Sequence, residues 1–233
     1  MADINFHTYE NRHALAEGLA TGIAGILAGG IATRGHATLA VSGGSTPKLF
    51  FEVLSNADID WSKVMIILVD ERIVPPDHER SNAKLVATHL LQNKAAAAKF
   101  VPYSVDADTP EQCAQASERA FEVPGHRIDA VVLGMGTDGH TASFFPGGNR
   151  LFKALLLDTK ENVIAMEAPG AGEPRLTLTL PYLLDARFVA LHIEGDEKRA
   201  VYDQAMIDEE TMQMPVRAVL HQKVSPISVF WAP

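Results

Sequence analysis

Residues 39–54 read LAVSGGSTPKLFFEVL, a short apolar run followed by a glycine and hydroxyl loop and then by a helical segment. Leu39, Ala40 and Val41 suit a strand that is buried on both faces, and the glycines end that strand. Pro47 is compatible with the first turn of a helix, where its missing N–H group leaves no hydrogen bond unmade. This stretch therefore predicts one strand–loop–helix unit of an α/β protein.

The same alternation extends along the whole chain. Short runs rich in Val, Ile and Leu predict buried strands at 37–42, 63–69, 127–134, 161–166 and 186–193. Helical patterns fall at 46–54, 82–91, 110–121 and 196–206, and a helix at 9–32 is expected to cover the sheet. The segments 101–105 and 226–232 could add a middle and a terminal strand, whereas 175–180 alternates like an edge strand or an extended segment. Right-handed crossovers then predict the fold class as α/β, with a doubly wound, mostly parallel, Rossmann-like sheet and helices on both faces.

Composition limits the classes of function. The chain has 233 residues, of which 47% are hydrophobic, and this length favours a single domain over residues 1–233 with a sizeable core. A formal charge of −9 argues against a broad basic surface for nucleic acid or anionic membranes, so an anionic small substrate needs a local basic pocket. Cys113 is the only cysteine, which excludes an intrachain disulfide and a thiolate-rich zinc site.

The N-terminus and the apolar runs bear on location. The N-terminus lacks the basic and then apolar order of a secretory signal. No apolar run comes near the roughly 20 residues that a membrane span requires. We therefore expect a soluble, cytoplasmic protein with no nucleic-acid or membrane partner.

The loop SGGST, residues 42–46, has the composition of an anion site. Glycines let backbone N–H groups turn toward a ligand, hydroxyl groups add donors, and a helix N-terminus carries about half a positive charge. Together these features suit a phosphate group held by Ser42, Gly43, Gly44, Ser45 and Thr46. The alternative is an ordinary helix cap at Ser45 or Thr46. The loop is not a Walker loop, because the G-x-x-x-x-G-K-[ST] pattern is absent.

Charged residues follow the 63–69 strand and are expected at the same rim of the sheet. Arg72 can steady an oxyanion or a phosphate, and Asp70 can hold Arg72 or accept a proton. The alternative is a solvated charged loop of local ion pairs. The sequence DHE at 77–79 lacks the spacing of metal ligands, so we expect no metal site there.

Residues 131–146, VVLGMGTDGHTASFFP, place an acid and a histidine on a glycine turn after a strand. Histidine exchanges protons near neutral pH, and Asp138 can fix the tautomer of His140, so the pair predicts a general base. The turn formally satisfies G-x-G-x-x-G, but Asp138 would set a carboxylate beside a pyrophosphate, and Pro146 cuts off the helix that a dinucleotide site requires. Ser143 is outside any G-x-S-x-G elbow, which leaves a serine-hydrolase mechanism without support.

Five ordered pieces, spread over nearly the whole chain, resemble one known family. They are SGGSTP (42–47), DER with a downstream SN (70–72 and 81–82), GMGTDGHTASFFP (134–146), RLTLTLP (175–181) and GDEK (195–198). Their order resembles that of the 6-phosphogluconolactonases, which share a superfamily with the glucosamine-6-phosphate isomerases (deaminases). In the isomerases the histidine turn resembles DGHIAFNEP, whose glutamate takes part in ring opening. This chain has DGHTASFFP with no acid before Pro146, so the resemblance favours the lactonases.

The resemblance implies a reaction and two further site residues. The reaction is hydrolysis of 6-phospho-D-glucono-1,5-lactone to 6-phospho-D-gluconate, the second step of the oxidative pentose phosphate pathway. It also implies that Arg175 and Lys198 join the 42–46 loop in holding the substrate phosphate. These two cations give the acidic chain its expected basic pocket.

The expected mechanism assigns one role to each remaining residue. His140 activates water as general base, Asp138 orients or supports His140, and Arg72 stabilises the oxyanion, with no metal or cofactor. The alternatives are an enzyme like the glucosamine-6-phosphate isomerases (deaminases) and a non-catalytic sugar-phosphate-binding protein. We expect a monomer or a weak homo-oligomer.

Overall fold

The structure is a computed structural model that describes residues 1–121, 127–207 and 209–233. The described strands are β1 (Ile4–Thr8), β2 (Ala37–Val41), β3 (Val64–Leu68), β4 (Asp70–Arg72), β5 (Lys99–Val101), β6 (Ala130–Leu133), β7 (Val163–Met166), β8 (Arg175–Leu178), β9 (Val189–Glu194) and β10 (Ile227–Ala232). The described α-helices are α1 (Arg12–Arg34), α2 (Lys48–Leu54), α3 (Asn82–His89), α4 (Pro110–Phe121), α5 (Leu151–Leu155), α6 (Leu180–Leu184), α7 (Asp196–Ala205) and α8 (Val216–Leu220).

Seven strands form the main sheet in the order β1-β10-β9-β6-β2-β3-β5, and every neighbouring pair is parallel. From β2 the chain continues outward through β3 to β5, whereas from β6 it continues the other way through β9 to β10. The order therefore reverses between β2 and β6. Loops leaving the carboxyl ends of these two strands meet at the topological switch point, where open α/β sheets bind ligands. The predicted doubly wound α/β class is confirmed.

A second sheet differs from the prediction. Strands β4, β8 and β7 pair in an antiparallel sheet of their own, so the 161–166 strand does not join the parallel sheet. Of the two expectations at 175–180, the edge strand was wrong, because β8 lies between β4 and β7 and is buried along its length; the segment is extended over Arg175–Leu178. Its register pairs Asp70 with Thr177 and Arg72 with Arg175. The small sheet thus brings the DER segment beside Arg175.

The edges of the main sheet also differ from the sequence expectations. Strand β1 was not predicted, and it forms one edge by pairing with β10. The 101–105 segment contributes only its first residue to a strand, since β5 covers Lys99–Val101 and forms the other edge. The predicted terminal strand β10 lies inside the sheet between β1 and β9.

Helix α1 corrects one expectation about apolar runs. By length and composition it could cross a membrane, because it has 23 residues and a mean hydropathy of 1.5 over its most apolar window. In the fold, however, it packs against α2, β2 and β10. Its fully buried residues lie at helical spacing: Leu15, Ala16, Leu19, Ile23 and Leu27. This packing is that of the covering helix expected from residues 9–32.

Candidate active site

A cavity of about 390 Å³ opens at the carboxyl ends of β2 and β6. All of the site residues predicted from the sequence line it except Asp138, which contacts its neighbour His140. A cavity of this size is within the range of small-molecule sites. The structure therefore gathers residues that are separated by up to 156 positions in the sequence, from Ser42 to Lys198, around one space.

The 42–46 loop leaves β2 with its hydroxyl groups unused by helix capping. Pro47 is the cap residue of α2, and no side chain in the described part of the chain makes a capping hydrogen bond there. The alternative of an ordinary cap at Ser45 or Thr46 is therefore wrong. Instead, the Thr46 hydroxyl accepts a hydrogen bond from Lys198 Nζ at 2.9 Å. The loop therefore contacts a cation that lines the same cavity.

Lys198 lies in the first turns of α7 and is half-buried. Burial lowers the pKa of its ammonium group, and the nearby carboxylates of Glu194 and Glu197 partly oppose that effect. A partly desolvated cation attracts an anion more strongly than a fully hydrated one, because less water screens the pair. Lys198 and the 42–46 loop thus form a local basic pocket on an acidic chain.

Asn82 is a site residue that sequence reasoning did not single out. Its side chain lies against Gly43 so closely that a Cβ atom at Gly43 would collide with it. The Asn82 amide donates to the backbone oxygen of Asp70 at 2.9 Å, and its oxygen accepts from Arg72 NH1 at 3.3 Å. Arg72 also donates to the Arg80 backbone oxygen at 2.8 Å. Asn82 therefore holds Arg72 beside the 42–46 loop.

Glu71 belongs to the scaffold. Its buried carboxylate accepts hydrogen bonds from the N–H groups of Arg72, Asn82 and Ala83 and from the Ser81 hydroxyl. Burial raises the pKa of Glu71, and these four hydrogen bonds oppose the rise. The carboxylate joins β4 to the start of α3, which fixes the positions of Arg72 and Asn82.

Asp70 is paired differently from one of the sequence expectations. It does not hold Arg72; its Oδ2 accepts from the Ser143 hydroxyl at 2.6 Å and lies 3.8 Å from Arg175 NH1. All three side chains are buried. The antiparallel register sets Asp70 opposite Thr177, whose hydroxyl accepts from the Ser143 N–H at 3.3 Å, so Ser143 lies within reach of Asp70. Residues two apart on a strand share a face, and Arg72 has other partners because its longer side chain reaches Asn82 and the Arg80 backbone oxygen.

Arg175 is a buried cation with spare hydrogen-bonding capacity. One terminal nitrogen donates to the Ala171 backbone oxygen at 2.8 Å, and its Nε is buried without a partner within the described residues. Burial lowers the pKa of Arg175, and the charge of Asp70 is the largest opposing effect. An arginine in this state gains strongly from an anion that can accept from its free N–H group.

His140 is held on three sides. Its Nδ1 lies 2.5 Å from Asp138 Oδ1, and the same oxygen accepts from the His140 backbone N–H at 3.1 Å. Its imidazole stacks on the Phe145 ring with 4.3 Å between centroids. A Cβ atom at Gly136 would collide with both the imidazole and Asp138, so only glycine permits this approach.

The electrostatics of the pair favour one tautomer. Burial alone would raise the pKa of Asp138, but the hydrogen bonds and charge of His140 outweigh it, so the pKa lies below its usual value. An ionised Asp138 can only accept, and it therefore favours a proton on His140 Nδ1. The other ring nitrogen, Nε2, is then left with a lone pair. That is the arrangement of a general base.

Comparison with known proteins places the chain in a family. A family model for glucosamine-6-phosphate isomerases/6-phosphogluconolactonase matches residues 10–231. The chain is 54% identical over 229 residues to a 6-phosphogluconolactonase of Rhizobium meliloti, covering 98% of this chain and 99% of that one. It is 48% identical over 232 residues to a 6-phosphogluconolactonase of Mesorhizobium japonicum, covering 100% and 97%.

A solved structure agrees with these relatives. The crystal structure of a 6-phosphogluconolactonase from Shewanella baltica superposes with a TM-score of 0.95 at 41% identity, covering 99% of this chain and 98% of that one. The match thus extends over the main sheet, the small sheet and the cavity between them. The chain belongs to the glucosamine-6-phosphate isomerase/6-phosphogluconolactonase family.

Proposed function

We propose that this protein hydrolyses 6-phospho-D-glucono-1,5-lactone to 6-phospho-D-gluconate, the second step of the oxidative pentose phosphate pathway. The observation that carries the proposal is the cavity itself, where an oriented histidine faces the same space as a phosphate-type loop, the buried Arg175 and the half-buried Lys198. The full-length relatives at 54% and 48% identity, both 6-phosphogluconolactonases, support it.

In the proposed complex the substrate phosphate is held by the 42–46 loop, Arg175 and Lys198. Loop N–H groups and hydroxyls can donate to phosphate oxygens, and Lys198 already lies against Thr46. Arg175 lines the same cavity, and its guanidinium offers a further charge-assisted hydrogen bond. Asp70 positions Arg175 through their 3.8 Å ion pair, and Ser143 in turn fixes Asp70.

The chemistry then needs one proton acceptor. His140 Nε2 takes a proton from water, the resulting hydroxide attacks the lactone carbonyl carbon, and Arg72 stabilises the oxyanion that forms. When the tetrahedral intermediate collapses, the bond between the carbonyl carbon and the ring oxygen breaks. The His140 imidazolium returns its proton to that leaving oxygen. Asp138 keeps the proton on Nδ1 throughout and stabilises the transient positive charge.

We propose that no metal or cofactor takes part. A lactone is already an activated ester, and a positioned base typically supplies about 10²- to 10⁴-fold in rate. Activity that is unchanged after dialysis against a chelator supports this view, and activity restored only by added metal contradicts it.

An isomerase function is less well supported. The isomerases resemble DGHIAFNEP at this turn, whereas the acid before the proline is replaced here by Phe145, whose ring is buried against His140. Release of ammonia from glucosamine 6-phosphate would favour that alternative. A sugar-phosphate-binding protein without activity would bind 6-phosphogluconate but leave the lactone untouched.

The deciding experiment measures loss of 6-phosphogluconolactone with purified protein against its spontaneous hydrolysis. We expect acceleration that is proportional to protein concentration and absent in His140→Ala. If the wild-type protein fails to exceed the spontaneous rate, the proposed activity falls.

We also propose a cytoplasmic location and a monomer or weak homo-oligomer. The cavity is built from one chain, which supports an active single subunit. Size-exclusion chromatography with light scattering at working concentration checks the oligomeric state, and activity confined to a larger species would contradict the proposal.

A further inference from the structure

The Phe145 ring contacts two functional side chains of the candidate site at once. On one side its centroid lies 4.3 Å from that of the His140 imidazole, with 28° between the planes. The guanidinium carbon of Arg175 lies over the same ring, 5.2 Å from its centroid. The Phe145 side chain is only 3% exposed, yet it borders the cavity.

The hydrogen bond to Asp138 is insufficient to fix the imidazole. A single bond to Nδ1 holds one edge of the ring but leaves the ring free to rotate about the bond axis. The stacked Phe145 ring restricts that rotation, because a tilt of the imidazole would push one edge into the phenyl face. Gly136 also lies against the imidazole, since a Cβ atom there would collide with Nδ1 and Cε1, but glycine has no side chain to restrain the ring. Phe145 is the ring that stacks on the imidazole face.

The phenyl face also has an electrostatic effect. Its negative quadrupole attracts cations, so it favours a guanidinium beside it and favours the imidazolium that forms when His140 takes a proton. Asp138 on the same turn contacts His140, and four further charged groups line the same cavity: Asp70 and Arg72 on β4, Arg175 on β8 and Lys198 on α7. The charges of these groups are the same in the wild-type protein and in a Phe145 variant.

We propose that Phe145 is a positioning residue that fixes the plane of the His140 imidazole, stabilises its protonated form and sets its distance from Arg175. This inference rests on the proposed function, in which His140 is the base and Arg175 holds the phosphate. One ring would then link the proton-handling group to the phosphate-holding group.

The test compares Phe145→Leu, which removes the ring, with Phe145→Tyr, which keeps it. For Phe145→Leu we expect a fall in kcat of about three- to tenfold and a rise in KM of about two- to threefold. The acid limb of the kcat/KM profile should move to lower pH, because the imidazolium loses its aromatic neighbour. Phe145→Tyr should restore all three values to near those of the wild-type protein.

Phe144→Leu is the matched control, because the adjacent Phe144 is fully buried in the hydrophobic core. We expect it to lower the unfolding temperature while kcat, KM and the pH profile stay as in the wild-type protein. If Phe145→Leu does not fold, Phe145→Met replaces it, since methionine fills irregular space without an aromatic face.

An NMR titration of the His140 imidazole separates this inference from the proposed function. A lower titration midpoint in Phe145→Leu than in Phe145→Tyr supports the inference whether or not the lactone is the substrate. Equal midpoints and equal kinetic constants in the two variants overturn it. A wild-type protein without lactonase activity overturns the proposed function alone.

Discussion

The 42–46 loop and the 134–146 turn are built alike but present different chemistry. Each leaves a central parallel strand, β2 or β6, at the switch point of the sheet. Each needs a glycine that admits a close neighbour, Gly43 for Asn82 and Gly136 for His140. The loop then offers backbone N–H groups and hydroxyls, whereas the turn offers an acid and a histidine. In the proposed function, similar backbone turns thus support anion binding at the 42–46 loop and proton transfer at the 134–146 turn.

The difference lies in the side chains that follow each glycine and in the partner across the cavity. Lys198 meets the loop, and its partial burial strengthens its attraction for an anion. Asp138 meets the imidazole and leaves one ring nitrogen as a proton acceptor. Damage to the loop should therefore raise KM, and damage to the turn should lower kcat.

The largest effect is expected at His140. In His140→Ala, kcat should fall by about 10²- to 10⁴-fold, because the base is lost while the phosphate site is intact. The affinity for 6-phosphogluconate, measured by calorimetry, should fall by about tenfold at most, because the phosphate contacts remain and only one hydrogen bond to the carboxylate is lost. His13→Ala, at an exposed position on α1, is the control and should match the wild-type protein. Near wild-type turnover in His140→Ala would remove the proposed base.

A smaller loss of kcat is expected in Asp138→Asn, about 10- to 10³-fold. The amide of asparagine can donate to Nδ1, which moves the imidazole proton to Nε2 and blocks the lone pair that water requires. Nitrogen NMR of the ring should show the tautomer change directly. If the variant keeps Nδ1 protonated and still loses kcat, the effect of Asp138 is electrostatic rather than tautomeric.

Lys198→Gln tests the phosphate-holding side of the cavity. Loss of a charge-assisted hydrogen bond should raise KM by about 10- to 100-fold, while kcat at saturation changes little. Lys48→Gln, at the exposed start of α2, removes a nearby cation that does not line the cavity and should leave KM unchanged. A fall in kcat with an unchanged KM would show that Lys198 acts on the reacting atoms.

The lowered pKa of Lys198 should make phosphate binding at the 42–46 loop depend on pH. As pH rises through that pKa, the ammonium group loses its proton at a lower pH than an ordinary lysine, and affinity for the phosphate should fall. Above about pH 8 the phosphate is already a dianion, so the change comes from the protein. Calorimetry with 6-phosphogluconate in two buffers should show proton uptake on binding in this range. Uptake that persists in Lys198→Gln would assign it to another group.

The smallest effect is expected at Ser42, where the 42–46 loop contacts the 134–146 turn. The Ser42 hydroxyl accepts a hydrogen bond from the Gly134 N–H at 3.3 Å, which links the loop to the turn. Ser42→Ala should cost about 1 kcal/mol of stability. It should change both kcat and KM by a few-fold, because both the 42–46 loop and the 134–146 turn shift. Ser45→Ala should affect KM alone. If Ser42→Ala alters only one of the two constants, Ser42 does not link the 42–46 loop to the 134–146 turn in function.

Local sequence patterns predicted the 42–46 loop and the 134–146 turn, but they did not predict the long-range contacts around the cavity. The strands before each glycine are predicted by short apolar runs, and α4 was predicted with its observed bounds, Pro110–Phe121. The small antiparallel sheet was missed because an apolar run such as β7 shows burial but not the direction of its partner. Asp70 was paired with Arg72 on proximity in sequence, whereas its hydrogen bond to Ser143 spans 73 positions.

The residues that sequence reasoning missed share this long range. Asn82 fills the space beside Gly43, and Phe145 links His140 to Arg175, which lies 30 positions further along the chain. The glycine itself was the available signal, since a glycine without a turn to explain it marks close approach.

A crystal structure with bound 6-phosphogluconate tests most directly whether the 42–46 loop holds the phosphate while His140 faces the reacting end of the substrate. We expect the phosphate on the 42–46 loop with Lys198 and Arg175, and the product carboxylate within about 3 Å of His140 Nε2. A carboxylate bound at the 42–46 loop, with the phosphate beside His140, would contradict this expectation.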